Sequence, residues 1–146
     1  MLWLDINSSQ KQAYVTLRMS APESEVIWLD FQPLKMSCKP GWDPMWEEWH
    51  CYHTPLRIYK QDYKILLDYF GKIYPIHDAF SGTLDLAFDV CFSNWIGKSD
   101  WLRIIEEIER DLDRVDDRKR VFLTDFLAWL QNALADTSVI VVEGNQ

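Results

Sequence analysis

Four side chains with metal-binding chemistry crowd one stretch of the chain: Cys38, His50, Cys51 and His53. Zinc sites usually separate paired thiolate and imidazole ligands by about two to four residues within a tight turn. Here His50 and Cys51 are adjacent, and adjacent side chains diverge, so at most a partial site can form. No metal and no cofactor is expected. His77, Asp78 and Ser81 have the residue types of a nucleophilic triad, but working triads draw their members from distant segments around an oxyanion site. Neither a G-x-S-x-G turn nor an H-E-x-x-H helix occurs. The five glycines, at 41, 71, 82, 97 and 144, are scattered, which leaves no phosphate loop. Glu106-Glu107 and Asp116-Asp117 are paired carboxylates, and such runs ordinarily form a solvated helix face and a cap. The expectation is no catalytic residue, and a function in binding.

Two features have the chemistry of binding. Glu106, Glu107, Glu109, Asp111, Asp113, Asp116 and Asp117 put seven acids into twelve residues, against Arg110 and Arg114. Some of these pair at i,i+3 or i,i+4 spacing, each pair worth a few tenths of a kcal/mol. The remainder makes a negative ridge that would attract a basic surface and speed association by roughly 10–1000-fold at low salt. Trp42, Trp46 and Trp49 form the second feature, three Trp within eight residues. They either plug one end of the core or anchor an interface or ligand groove. The expected partner-binding residues are therefore Glu106, Glu107, Glu109, Asp113, Asp116 and Asp117, with Trp42, Trp46 and Trp49.

The elements that position these residues follow from periodicity. Leu2, Leu4 and Ile6 alternate with Trp3 and Asp5; Ala13, Val15, Leu17 and Met19 alternate with Tyr14, Thr16 and Arg18, which reads as a hairpin. Val26 to Phe31 gives a third strand closed by Pro33, and three short consecutive strands imply an antiparallel meander under a helix layer. Asp43-Pro44 is a helix start, carrying Trp46 and Trp49 on one side. A further helix is expected from about Lys60 to Phe70, with Tyr63, Leu66, Leu67 and Phe70 inward and Gly71 as its C′ residue. Ile76 to Gly82 reads as a loop. Leu86, Phe88, Val90 and Phe92 then alternate as a strand over Leu84–Phe92, which Asn94 to Gly97 leave.

Ser99 or Asp100 is positioned to cap the next helix, whose inward stripe is Trp101, Ile104, Ile105, Ile108, Leu112 and Val115. Asp116 and Asp117 stop it and cap a second helix with Phe122, Phe126, Trp129, Leu130, Ala133 and Leu134 inward. So short a link favours neighbouring helices. Ser138 to Val142 is β-branched enough to be a buried strand. The fold class is α+β: an N-terminal antiparallel β-meander, then helix, strand, two-helix hairpin and C-terminal strand, with a single layer of helices on a sheet. Residues 1–146 read as one domain.

Charge narrows the partner. Residues 1–73 hold nine acids and eight bases, residues 74–146 fourteen acids and seven bases. Nearly all of the net −8 therefore sits in the second half, which disfavours direct nucleic-acid binding and favours a basic protein partner. Three cysteines, an odd number, make no disulfide framework. Met1-Leu2-Trp3-Leu4-Asp5 lacks a basic region, and no stretch approaches a membrane span, so a reduced, cytoplasmic protein is expected.

Phe92-Ser93-Asn94-Trp95-Ile96-Gly97, Asp100-Trp101 with Ile104-Ile105, Asp125-Phe126-Leu127-Ala128-Trp129-Leu130 and Ile140-Val141-Val142-Glu143-Gly144-Asn145-Gln146 carry a resemblance. Over about the last 60 residues the chain resembles the small immunity proteins of bacterial contact-dependent growth inhibition and related polymorphic toxin systems. The resemblance implies a cytoplasmic antitoxin that binds one cognate toxin domain, often a basic nuclease, and covers its active site or substrate path. It carries over no site residue. A Trp-rich small-ligand or sugar-binding module and an acidic DNA-mimic inhibitor are the alternatives.

Overall fold

The computed structural model describes residues 14–34 and 54–146. In chain order the elements are β1 (Val15–Leu17), β2 (Trp28–Leu34), β3 (Leu56–Tyr59), α1 (Lys60–Ile73), β4 (Ile76–His77), β5 (Leu84–Asp85), β6 (Ser93–Gly97), α2 (Lys98–Asp111), α3 (Asp117–Leu134) and β7 (Val139–Gly144). The class is α+β, with the expected order of helix, strand, two-helix hairpin and terminal strand. Five strands form one sheet in the order β1-β3-β2-β7-β6, and β4-β5 is a separate hairpin. β1 runs parallel to β3 while the other neighbours are antiparallel, so the sheet is mixed rather than a pure meander. The candidate strand at Leu2–Ile6 and the candidate helix after Asp43 lie outside the described residues.

Alternation along each strand divides the sheet into two chemically different faces. Leu29, Phe31, Leu56, Ile58, Ile96, Ile140 and Val142 share one core cluster with Phe70, Trp101, Ile104, Ile108, Phe126 and Leu130 from the helices. All three described helices thus bury their apolar stripes against this face. Trp101 is fully buried, and its indole N–H donates to the Ile140 carbonyl at 3.3 Å, which removes the usual penalty for hiding that group. Asp116 caps α3 as expected, its carboxylate accepting from the Lys119 N–H at 2.9 Å. Arg120 reaches back to the Leu112 and Val115 carbonyls at 2.6 and 3.0 Å and closes the α2–α3 hairpin.

Several local expectations need correction. Pro33 does not end a strand at Phe31: β2 continues to Leu34, past Phe31↔Leu56, the last pair with β3. A residue without an N–H is tolerated there because the β3 ladder has already stopped. Gly71 is not a C′ residue either. α1 runs through it to Ile73, and the chain turns extended at Tyr74, as the residue before a proline must. Gly97, without a side-chain bond, caps α2; Ser99 and Asp100 already lie in its first turn, where Asp100 pairs with Arg103 at 3.0 Å.

The largest difference concerns Leu84–Phe92. Only Leu84–Asp85 is strand, and Asn94–Gly97, read as leaving the sheet, belongs to β6. The cause is polar rather than apolar. Asp89 accepts the Cys91 N–H at 2.8 Å in a side-chain turn, and Asn94 bonds the Asp89 N–H and the Asp89 and Phe92 carbonyls at 2.9, 2.7 and 3.1 Å. These local bonds outcompete a ladder and fold the chain back on itself.

Candidate protein-interaction site

The acidic ridge forms, but it is shorter than the sequence implies. Glu107 pairs with Arg110 at 2.7 Å and lies 3.8 Å from Lys72, which is equally close to Asp111. Asp111 also accepts the Tyr69 hydroxyl at 2.9 Å; burial first, and then this carboxylate, raise the tyrosine pKa. Asp117 pairs with Arg120 at 2.8 Å, and Asp116 is committed to its cap. Glu106, Glu109 and Asp113 remain exposed with no ion pair among the described residues. Residues 98–125 carry nine acids against seven bases, so the two helices are close to electrically balanced. Trp42, Trp46, Trp49 and the Cys38–His53 group lie outside the described residues. Among the described residues no three His, Cys, Asp or Glu side chains converge as a metal would require.

A second stretch is anionic throughout. From Ile73 to Gly97 the chain has Asp78, Asp85 and Asp89 and neither Lys nor Arg. On the excursion within this stretch, Phe80 is 42%, Leu84 53%, Leu86 76% and Phe92 69% exposed. Phe80 packs on the Trp95 ring, with centroids 4.9 Å apart, whereas Leu86 stands beside α1; large exposed apolar side chains gathered in one stretch of chain are candidate contact points. Asp78 and Ser81, far from forming a triad with His77, build a turn: the Asp78 carboxylate accepts the Phe80 and Ser81 N–H groups, each at 2.8 Å.

The excursion is held rigidly despite its exposure. Asn94, 4% exposed, adds a bond from its amide to the Val142 carbonyl at 2.9 Å, tying the turn at Asp89–Phe92 to β7. A Cβ at Gly144 would collide with the Val90 carbonyl, so only glycine lets this loop lie against the strand. Phe88 stacks on Phe70 with ring centroids 4.2 Å apart, and the Ala79 N–H donates to the Trp95 carbonyl at 3.0 Å. A surface fixed in this way loses little entropy on binding.

Asp85 supplies a pH signature for this surface. Burial, and then the neighbouring Asp78 carboxylate, raise its pKa above the ordinary value. Its contribution to stability is therefore fully present below the usual carboxylate range and is lost as pH rises through the raised value. Asp85→Asn is expected to raise the melting temperature at pH 7 and to leave it nearly unchanged near pH 3. Equal shifts at the two pH values would exclude ionisation as the cause.

The sheet face away from the described helices holds a polar row that the sequence analysis missed. Thr16, Arg57, Asp30, Glu143 and Ser93 occupy one register line across all five strands. Arg57 grips Asp30 through two bonds of 2.8 and 3.0 Å and lies between the Tyr14 and Trp28 rings, 4.0 and 3.8 Å from their centroids. Burial acts to lower the guanidinium pKa, but the Asp30 carboxylate outweighs it and the net shift is upward. Ser93 donates to Glu143 at 2.8 Å. Asp30, Gln32, Arg57 and Glu143 are all buried. The period-two signal was present in Leu29-Asp30-Phe31-Gln32, where polar residues alternate with apolar ones inside a central strand.

No protein family, curated protein or solved structure matches the chain.

Proposed function

We propose that this chain is an immunity protein that binds and neutralises a cognate basic toxin domain, a nuclease by the chemistry of its charge, in the bacterial cytoplasm. It acts by occlusion and not as an enzyme. The observation that carries this reading is the excursion between Ile76 and Phe92: exposed Phe80, Leu84, Leu86 and Phe92 set among three aspartates, in a stretch free of Lys and Arg. Cationic surface is what a nucleic-acid-cleaving partner must present to phosphate, and apolar anchors ringed by complementary charge are the usual anatomy of a tight interface. The C-terminal resemblance supports the same class. Among the described residues no helix is long and apolar enough to cross a membrane. Glu106, Glu109 and Asp113 extend the attracting field along α2, whereas Glu107, Asp116 and Asp117 are occupied within the fold.

The test uses the product of an adjacent toxin gene as the partner. Changing Asp78, Asp85 and Asp89 together to Asn is expected to slow association about 10-fold or more at low salt and far less at high salt. Leu86→Ser with Phe92→Ser is expected to act instead on dissociation. If both sets leave the kinetics untouched while Glu106→Lys with Glu109→Lys abolishes steering, the interface lies on α2 and not on the excursion.

A further inference from the structure

We propose that the cleft between α1 and the loop at 86–90 receives one apolar side chain of the partner, flanked by a cationic residue, and that Gly71 keeps that cleft open. The inference rests on the binding reading above and names the anchor. Gly71 lies in the last turns of α1, exposed, where glycine is a poorer helix former than alanine. At Gly144 the close approach of Val90 explains the glycine. At Gly71 a Cβ would meet no atom within 4 Å, so nothing in the described chain requires its absence.

What Gly71 does instead is line a cleft of about 400 Å³ with Leu67, Tyr74, Leu86, Phe88 and Val90. Its walls are fixed from the core. Phe88 stacks on Phe70, and Tyr74 meets the Phe88 ring edge-on at 6.1 Å. Asp89 is the one charged residue of the lining among those described. An apolar side chain entering this open cleft is desolvated on the side that meets its walls, and an Arg or Lys beside it in the same partner segment reaches Asp89. A side chain at position 71, among the lining residues, would project into or over that space.

The experiment titrates the full, isotope-labelled chain with two blocked tripeptides, Arg-Phe-Arg and Glu-Phe-Glu, and follows backbone amide shifts. Arg-Phe-Arg is expected to move the Gly71, Leu86, Phe88 and Asp89 amides. Gly71→Leu should weaken it about 10-fold while the melting temperature rises, and Gly71→Ala should raise stability with a smaller loss of binding. A purely structural glycine would move the melting temperature alone. Full affinity in Gly71→Leu, or shifts confined to Phe80 and Leu84, overturns the cleft and leaves the excursion as an interface. Equal binding of Glu-Phe-Glu, or binding of neither peptide, overturns the occupant. The wider reading fails separately, if the toxin associates equally with the Asp78, Asp85 and Asp89 triple variant.

Discussion

Arg57→Met is expected to lower the unfolding free energy by about 3–5 kcal/mol, because it removes from a buried carboxylate, Asp30, the guanidinium that bonds both of its oxygens. That is a large share of the roughly 5–15 kcal/mol that holds a domain of this size. Asp30 is wholly inaccessible, and both of its oxygens bond the guanidinium. Trp28 adds its indole N–H to Asp30 at 3.0 Å, a partner that cannot balance a full charge. Glu143, a second buried acid, stands directly opposite Asp30 in the β2–β7 register. Urea melts of the wild type, Arg57→Met, Asp30→Leu and the double variant form the necessary cycle. The double variant should recover much of the loss, since an apolar pair of similar volume replaces both charges. A loss below about 1 kcal/mol for Arg57→Met would place this pair with weak, solvent-screened bridges.

The second large effect falls at Asn94. Its two amide hydrogens serve three carbonyls, those of Asp89, Phe92 and Val142, one hydrogen being shared, and its oxygen accepts the Asp89 N–H. Asn94→Ala strands these groups in a place that water reaches only in part, for an expected loss of about 2–4 kcal/mol, using 1–3 kcal/mol per buried group left unpaired and discounting those that rehydrate. Asn94→Asp should be at least as damaging at neutral pH, since a carboxylate would face three carbonyl oxygens. Its folded pKa would be raised, so its stability should recover as pH falls and the acid regains a donor. Hydrogen exchange supplies the functional half of the test. Amides of Asp89 to Phe92 should lose protection in both variants before the sheet does, and partner affinity should fall with them. Intact protection of that loop would mean that Gly144 and the Phe70–Phe88 stack suffice to hold it.

Both expected effects arise from polar groups that periodicity could not weigh. The helices were legible because each writes an apolar stripe several turns long: Trp101, Ile104, Ile105 and Ile108 in α2, and Phe122, Phe126 and Leu130 in α3, all buried as read. β7 was legible for a similar reason, its run of β-branched residues being too apolar to face water. The stretch 84–92 misled because alternation of Leu86, Phe88, Val90 and Phe92 matches a half-buried strand, while the side chains of Asp89 and Asn94 impose a turn. Leu86 and Phe92 consequently point to solvent, while Phe88 and Val90 pack against the core.

The acidic candidates divide along the same line. Composition alone established that the second half is anionic and that no recognised catalytic pattern is present. Which carboxylates remain available depended on contacts remote in sequence, such as Lys72 with Glu107 and Asp111, and Arg120 with the α2–α3 turn. Local order along a chain determines helix stripes, caps and buried strands, because those energies act between residues a few positions apart. Only the tertiary structure decided that Arg57 meets Asp30, that Asn94 moors Asp89 to β7, and which acids of α2 are taken up in ion pairs. Those pairings join residues brought side by side by strand register, and register is a property of the assembled sheet.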